Sequence, residues 1–160
     1  MQEINIAVLS NVNIDFVCRR VRKNINVADS VGYGNIWGQI LDETSNINII
    51  DISTIFFIID IEQLIEKCNN YNECKDAIDE WFECFNSIVR KEKDYFVSDV
   101  TFRNEIISDN DYFDEYDLVE YWMSSLKESI NKCSNIHILC LNRIINKYGK
   151  DVFFSKKHGI

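Results

Sequence analysis

The first residue in this chain placed to do chemistry is Ser10, which closes the apolar run INIAVL and is followed directly by Asn11. A serine nucleophile in acyl transfer needs an imidazole base held by a carboxylate, and N–H donors for the oxyanion that forms. Asn11, Gly34 and Asn35 are candidate donors. Only two histidines can serve as base, His137 and His158. His137 falls inside the apolar segment IHILCL and reads as a satisfied core residue. His158 lies in SKKHGI, with Ser155 where the orienting carboxylate would have to stand, three residues upstream. The triad is therefore incomplete, and Ser10 is also explained as a cap or turn residue feeding the next helix.

Three of the five glycines fall in GYGNIWG, residues 32–38. A dinucleotide fingerprint needs GxGxxG between the first strand and its helix. This cluster reads GxGxxxG and comes later in the chain. No lysine or arginine lies between Lys23 and Lys67 to balance a phosphate, and there is no Walker A motif. The expectation is a tight turn with close backbone packing around Trp37. The alternative is a loop lining a pocket, with Tyr33, Asn35 and Gln39 as its polar groups.

The acidic run SDNDYFDEYD, residues 108–117, invites two further readings. As a calcium loop it lacks the central glycine and the distal glutamate register. As a DxDx[TV] aspartyl nucleophile motif, Asp109 to Phe113 has phenylalanine where a small hydroxyl residue or valine is required. These acids are better placed to complement the start of a following helix. Six cysteines form no CxxC pair. Without an export signal they are expected to be reduced, mostly buried thiols, and a zinc centre is not expected.

These residues are positioned by alternating elements. INIAVL is a first strand. Ile14, Val17, Cys18 and Val21 then recur at one-face helical spacing. Asn13 suits the cap of that helix, and Arg19, Arg20, Arg22 and Lys23 suit its negative end. A brief strand over 25–31 leads to the glycines, and IWGQIL is a short helix. TIFFIID, residues 54–60, is an unbroken apolar run expected of a strand buried on both faces. Two helices follow, one presenting Ile61, Leu64, Ile65 and Cys68, the other Ile78, Trp81, Phe82, Phe85, Ile88 and Val89. DYFVSDV is a fourth strand. A long helix over 113–133 carries Val119, Trp122, Met123, Leu126, Ile130 and Cys133. IHILCL is a fifth strand, and a closing helix over 142–148 stops at Gly149.

Strands alternating with helices imply crossover connections and a parallel sheet. The expected fold is an α/β three-layer sandwich whose mostly parallel sheet of about five strands has the order 2-1-3-4-5. Residues 1–150 form the domain and 151–160 begin a connection. In such a sheet ligands sit beyond the carboxyl ends of the strands, where the strand order reverses. The candidate substrate-binding residues are therefore Ser10, Asn11, Tyr33, Gly34, Asn35, Gln39, Asp60 and Ser98. Ser10 is a weak catalytic candidate. A net charge of −9 over 160 residues repels phosphate backbones, which argues against a nucleic-acid partner. With no basic leader and no run of about 20 apolar residues, the expectation is a cytoplasmic chain with no membrane partner.

The segments IAVLSNVNID (6–15), GYGNIWGQILDETS (32–45), TIFFIIDIEQL (54–64) and IHILCLNRIINKYGKD (136–151) occur in an order and spacing that resemble the N-terminal domain of FkbH-like proteins. Those belong to subfamily IIIC of the haloacid-dehalogenase superfamily. The LSN-x-N-I-D start and the segment 32–45 are the most specific parts of the match. The resemblance implies a flavodoxin- or SGNH-like module, with Ser10 at the SGNH nucleophile position, followed by a phosphatase-like domain. It implies action in glyceryl or related acyl or phosphoryl transfer to an acyl carrier protein. The family's catalytic aspartates lie beyond the matched region, so no catalytic residue transfers to this chain. Mg2+ is expected only in the following domain. Unlike family members, this chain has no proline near 42–43 or before the third strand. Three functions stay open: an accessory positioning module, a minimal SGNH-like esterase using Ser10, and a non-catalytic interaction domain.

Overall fold

The structure is a computed structural model and describes residues 5–11, 26–28, 36–49, 51–99, 115–141, 143 and 147. β1 (Asn5–Ser10) is the strand whose residues are buried throughout after Asn5. Ala7 and Leu9 point to one face while Ile6 and Val8 line the other, and all four are shielded from water. β2 (Asn26–Ala28) and β3 (Thr54–Ile58) run parallel to β1 on its two sides. β4 (Asp94–Ser98) is parallel to β3, and β5 (Ile136–Leu139) is parallel to β4. The order across the sheet is β2-β1-β3-β4-β5. The α/β class and the parallel sense of the strands agree with the sequence reading.

Five helices are described: α1 (Ile36–Leu41), α2 (Asn46–Ile49), α3 (Ile61–Ile65), α4 (Tyr71–Ile88) and α5 (Glu115–Lys132). α4 begins where Asn70 accepts a hydrogen bond from the Glu73 N–H at 2.9 Å. The Glu73 carboxylate reaches back to accept from the Asn69 N–H at 2.7 Å, so two otherwise orphaned donors are satisfied. Its buried face is Cys74, Ile78, Trp81, Phe82 and Phe85, close to the expected stripe. α2 is a single turn between α1 and β3. Buried Ile47 anchors it, and Asn48 Nδ2 donates to the carbonyls of Ile40 (2.9 Å) and Asp42 (2.7 Å).

α4 and α5 lie over one face of the sheet. Phe57 meets Trp81 and Phe85 edge-on, with centroids 5.7 and 5.3 Å apart, and Trp81 lies 4.8 Å from Trp122. These are the offset and edge contacts that aromatic rings favour. The buried stripe of α5 is Leu118, Trp122, Leu126 and Ser129. Val119, Met123, Ile130 and Cys133, expected on that stripe, are only partly buried at its margin. Ser129 is tolerated inside the stripe because its hydroxyl donates to the Ser125 carbonyl (3.3 Å).

Two expectations are corrected on the other face. β3 alternates in burial: Ile55 and Phe57 are buried, whereas Thr54, Phe56 and Ile58 are only half-covered. Phe56 stacks on Phe96 at 4.9 Å, and Phe96 lies 4.8 Å from His137. His137 is therefore no core residue; its side chain is 40% exposed and its Nε2 lies 3.1 Å from Asp94 Oδ1. Hydrophobic runs report what a strand can bury, not whether an element covers it. β5 ends the strand order, so its apolar sequence overstated its cover. The thiols are also less buried than expected: Cys74 is buried, Cys68, Cys84 and Cys133 are partly so, and Cys140 is exposed, all of them free. Among the described residues no helix is long and apolar enough to cross a membrane. The expected helix beginning near residue 13, the glycine turn before Ile36, most of the closing helix and the connection over 151–160 lie outside the described residues.

Candidate functional site

Because β1, β3 and β4 are parallel, their carboxyl ends form one rim. Ser10 stands opposite Ile58 in the register, and Ser98 closes β4 beside them. Four of the candidate residues, Ser10, Asn11, Asp60 and Ser98, are joined there by hydrogen bonds. Ser10 is 1% exposed, and its Oγ donates to the Ile58 carbonyl at 2.6 Å. The Asn11 side chain pairs with both main-chain groups of Asp60. Its Nδ2 donates to the Asp60 carbonyl, and its Oδ1 accepts from the Asp60 N–H, each at 2.8 Å. A carboxamide carries a donor and an acceptor side by side, as a peptide unit does, so Asn11 continues the β1–β3 pairing past the end of β1.

Asp60 is the N-cap of α3, with extended backbone (φ −93°, ψ 115°), and its Oδ1 accepts from the Glu62 N–H at 2.8 Å. Ser98 is fully buried. Its Oγ accepts from the Ile59 N–H at 2.9 Å, and its carbonyl accepts from Trp122 Nε1 at 3.0 Å. The rim is thus tied to α3 through Asp60 and to α5 through Ser98.

Serine catalysis requires a base within hydrogen-bond reach of Ser10. His137 is three strands from β1 and two residues below the level of Ser10, about 15 Å away at ordinary sheet spacings. It pairs with Asp94, at the opposite end of β4 from Ser98. Among the described residues no imidazole stands at the rim. His158, Ser155 and the acidic run before α5 lie outside them.

Gln39 is half-buried in α1, and its carbonyl accepts from Ser45 Oγ at 2.6 Å, tying it to the turn that leads into α2. Tyr33, Gly34 and Asn35 lie outside the described residues. Trp37, from the same glycine-rich segment, packs inward 5.4 Å from Trp81 and 6.2 Å from Phe57. The tight backbone turn expected of this stretch falls on residues outside the described ones.

The sequence reading missed the groove between α4 and α5, of about 440 Å³, lined by Asp76, Asp79, Glu80, Glu83, Glu128 and Lys132 among others. Above it Tyr121 donates its phenol proton to Asp79 Oδ1 at 2.6 Å, and that bond pushes the phenol up to about 12. The signal was present as carboxylates on the polar face of α4, but a charged face is ordinarily just solvated. Among the described residues that line the groove there is no imidazole or thiol. Among the described residues no group of three or more His, Cys, Asp or Glu side chains could hold a metal ion.

No protein-family model matches the chain, and neither does any curated protein. Solved structures do. The whole chain superimposes on 47% of the N-terminal part of a Bacteroides fragilis protein containing a phosphatase domain complexed with Mg, at 15% identity and a TM-score of 0.74. It also superimposes on 80% of the C-terminal catalytic domain of Streptococcus pneumoniae peptidoglycan O-acetyltransferase A, which carries a methylsulfonyl adduct, at 11% identity and a TM-score of 0.57. At such identities the likeness is one of fold. The chain spans about half the length of the first of these structures.

Proposed function

We propose that this chain is the N-terminal, substrate- or carrier-positioning module of an FkbH-like protein of haloacid-dehalogenase subfamily IIIC. Bond-making is left to a phosphatase-like domain that follows it in the same polypeptide. On this reading residues 1–150 form the module, 151–160 begin the connection, and the protein works in the cytoplasm. The whole protein acts in glyceryl or related acyl or phosphoryl transfer to an acyl carrier protein, and its Mg2+ belongs to the following domain. The residues described in this chain offer no ligand set for that ion, so no step here runs through it.

One observation carries the proposal: the rim's hydroxyls are engaged in holding the rim together. Ser10 donates to a β3 carbonyl, Ser98 accepts from the Ile59 N–H, and His137 is about 15 Å from Ser10. Ser10, Asn11, Asp60 and Ser98 then hold the shape of the rim rather than supply a reactive group. The likeness to a phosphatase-containing N-terminal part, with this chain covering about half of it, fits a module within a longer protein.

A second reading has support of its own. Ser10 ends the first strand of a fold similar to an O-acetyltransferase catalytic domain, and an esterase using Ser10 would suit that position. The interaction-domain reading has less, because Leu41 is the only exposed large hydrophobic among the described residues. The test compares wild-type chain with Ser10→Ala on p-nitrophenyl acetate and p-nitrophenyl phosphate. Both proteins are expected to give background rates on both substrates. Acetate hydrolysis that disappears in Ser10→Ala would transfer the assignment to the esterase, and phosphate turnover by this chain alone would remove the need for a second domain.

A further inference from the structure

The groove between α4 and α5, about 440 Å³, carries more negative charge than its own residues neutralise. Asp76, Asp79, Glu80 and Glu83 stand on α4, and Glu128 and Lys132 on α5. Lys132 Nζ is taken up by Glu128 at 3.3 Å, and Asp79 accepts the phenol proton of Tyr121. Asp76, Glu80 and Glu83 have no ion-pair or hydrogen-bond partner among the described residues. Spaced at i, i+4 and i+7, these three carboxylates lie a helical turn apart along about 10 Å of the wall, where like charges repel. They do not converge on a point, and no group of three or more His, Cys, Asp or Glu among the described residues could hold a metal ion. The complement of such a row is an extended cation.

The rest of the lining suits the same ligand. Buried Phe82 offers an apolar surface, and the small side chains of Ser125 and Ser129 leave the gap between the helices open. Ser129 is 2% exposed, and its hydroxyl proton goes to the Ser125 carbonyl. No described residue donates to its Oγ, so a buried acceptor lines the groove with its lone pairs uncommitted. The rings of Trp81 and Trp122, 4.8 Å apart, fix α4 against α5, so the groove is formed in advance of any ligand. We propose that it binds a linear polyamine, a chain of ammonium groups joined by short methylene spacers. Successive ammonium groups meet Asp76, Glu80 and Glu83, the spacers lie over Phe82, and one ammonium donates to Ser129 Oγ. The volume falls within the range of small-molecule sites. This site is separate from the rim, and the proposal stands whichever reading of Ser10 holds.

The test titrates spermidine into the whole chain by calorimetry at fixed ionic strength. The expected result is one spermidine per chain, undisturbed by magnesium chloride of equal ionic strength. Glu80→Gln combined with Glu83→Gln is expected to weaken binding by about tenfold, the effect of losing two exposed charge pairs. Glu43→Gln combined with Glu92→Gln removes the same net charge from exposed positions outside the groove and is expected to leave the affinity unchanged. Ser125→Leu fills the gap without altering charge and is expected to abolish binding in a chain that melts like wild type. Equal weakening by the two charge-neutralised pairs would reduce the effect to general attraction by an acidic chain and overturn the proposal. So would unchanged binding in Ser125→Leu, several equivalent spermidines per chain, or no binding heat at all. A lysine-rich decapeptide that binds the groove more tightly than spermidine would assign it to a protein partner and likewise overturn the polyamine.

Discussion

Ser98 shows how a residue chosen as a ligand group can be a structural joint. Its hydroxyl is the partner of the Ile59 N–H, and its carbonyl is the partner of the Trp122 indole, so a single buried serine connects β3, β4 and α5. Replacing it with alanine leaves the indole bond to the main chain intact but removes the acceptor for the Ile59 N–H. An unsatisfied buried donor costs about 1–3 kcal/mol. Ser98→Ala is therefore expected to lower the chemical-denaturation midpoint by a stability loss of that size, with an unchanged slope. A stability within about 0.5 kcal/mol of wild type, the range of a neutral surface change, would mean that Ser98 is not the joint described. The sequence put Ser10, Asn11, Asp60 and Ser98 at one rim because each follows or closes an apolar strand segment. It did not reveal their partners, since a hydrogen bond from Asn11 to Asp60 spans 49 positions and leaves no local pattern.

Local periodicity carried further at the level of elements. Trp81 and Trp122 were read as members of apolar stripes on two separate helices. In the fold their rings lie 4.8 Å apart, and Trp81 also meets Phe57, Phe82, Phe85 and Trp37. Trp81→Ala and Trp122→Ala are each expected to cost about 3–5 kcal/mol, the usual range for emptying a large aromatic from a core. The two losses should not add, because the rings share a contact and the second truncation enlarges a cavity already formed. Thermal melting of the singles and the double checks both statements, and wild-type-like melting of either single would mean that its helix face is misassigned. What periodicity could not supply was the centre of the α5 stripe. A polar Ser129 inside it and an apolar margin of Val119 and Met123 beside it shift the apparent axis of burial.

For the molecule as a whole, strand order decides which parts open together. The alternation of apolar segments and helices made the parallel α/β class legible, since parallel neighbours require crossover connections. It left the cover of each strand illegible, as β3 and His137 show. β1 and β3 each have a strand on both sides, whereas β5 pairs only with β4 among the described residues and its last three residues are half-covered. Amides in the interior of a sheet exchange only when the domain unfolds, while edge elements open locally at lower free energy. Deuterium uptake by mass spectrometry is therefore expected to be slowest in peptides spanning Ala7 to Leu9 and Ile55 to Phe57, and measurably faster across Ile136 to Leu139. A β5 peptide as protected as β3 would mean that its outer edge is paired or covered in solution. That edge would then be an interface, and the positioning role would have to be sought there as well as at the rim of β1, β3 and β4.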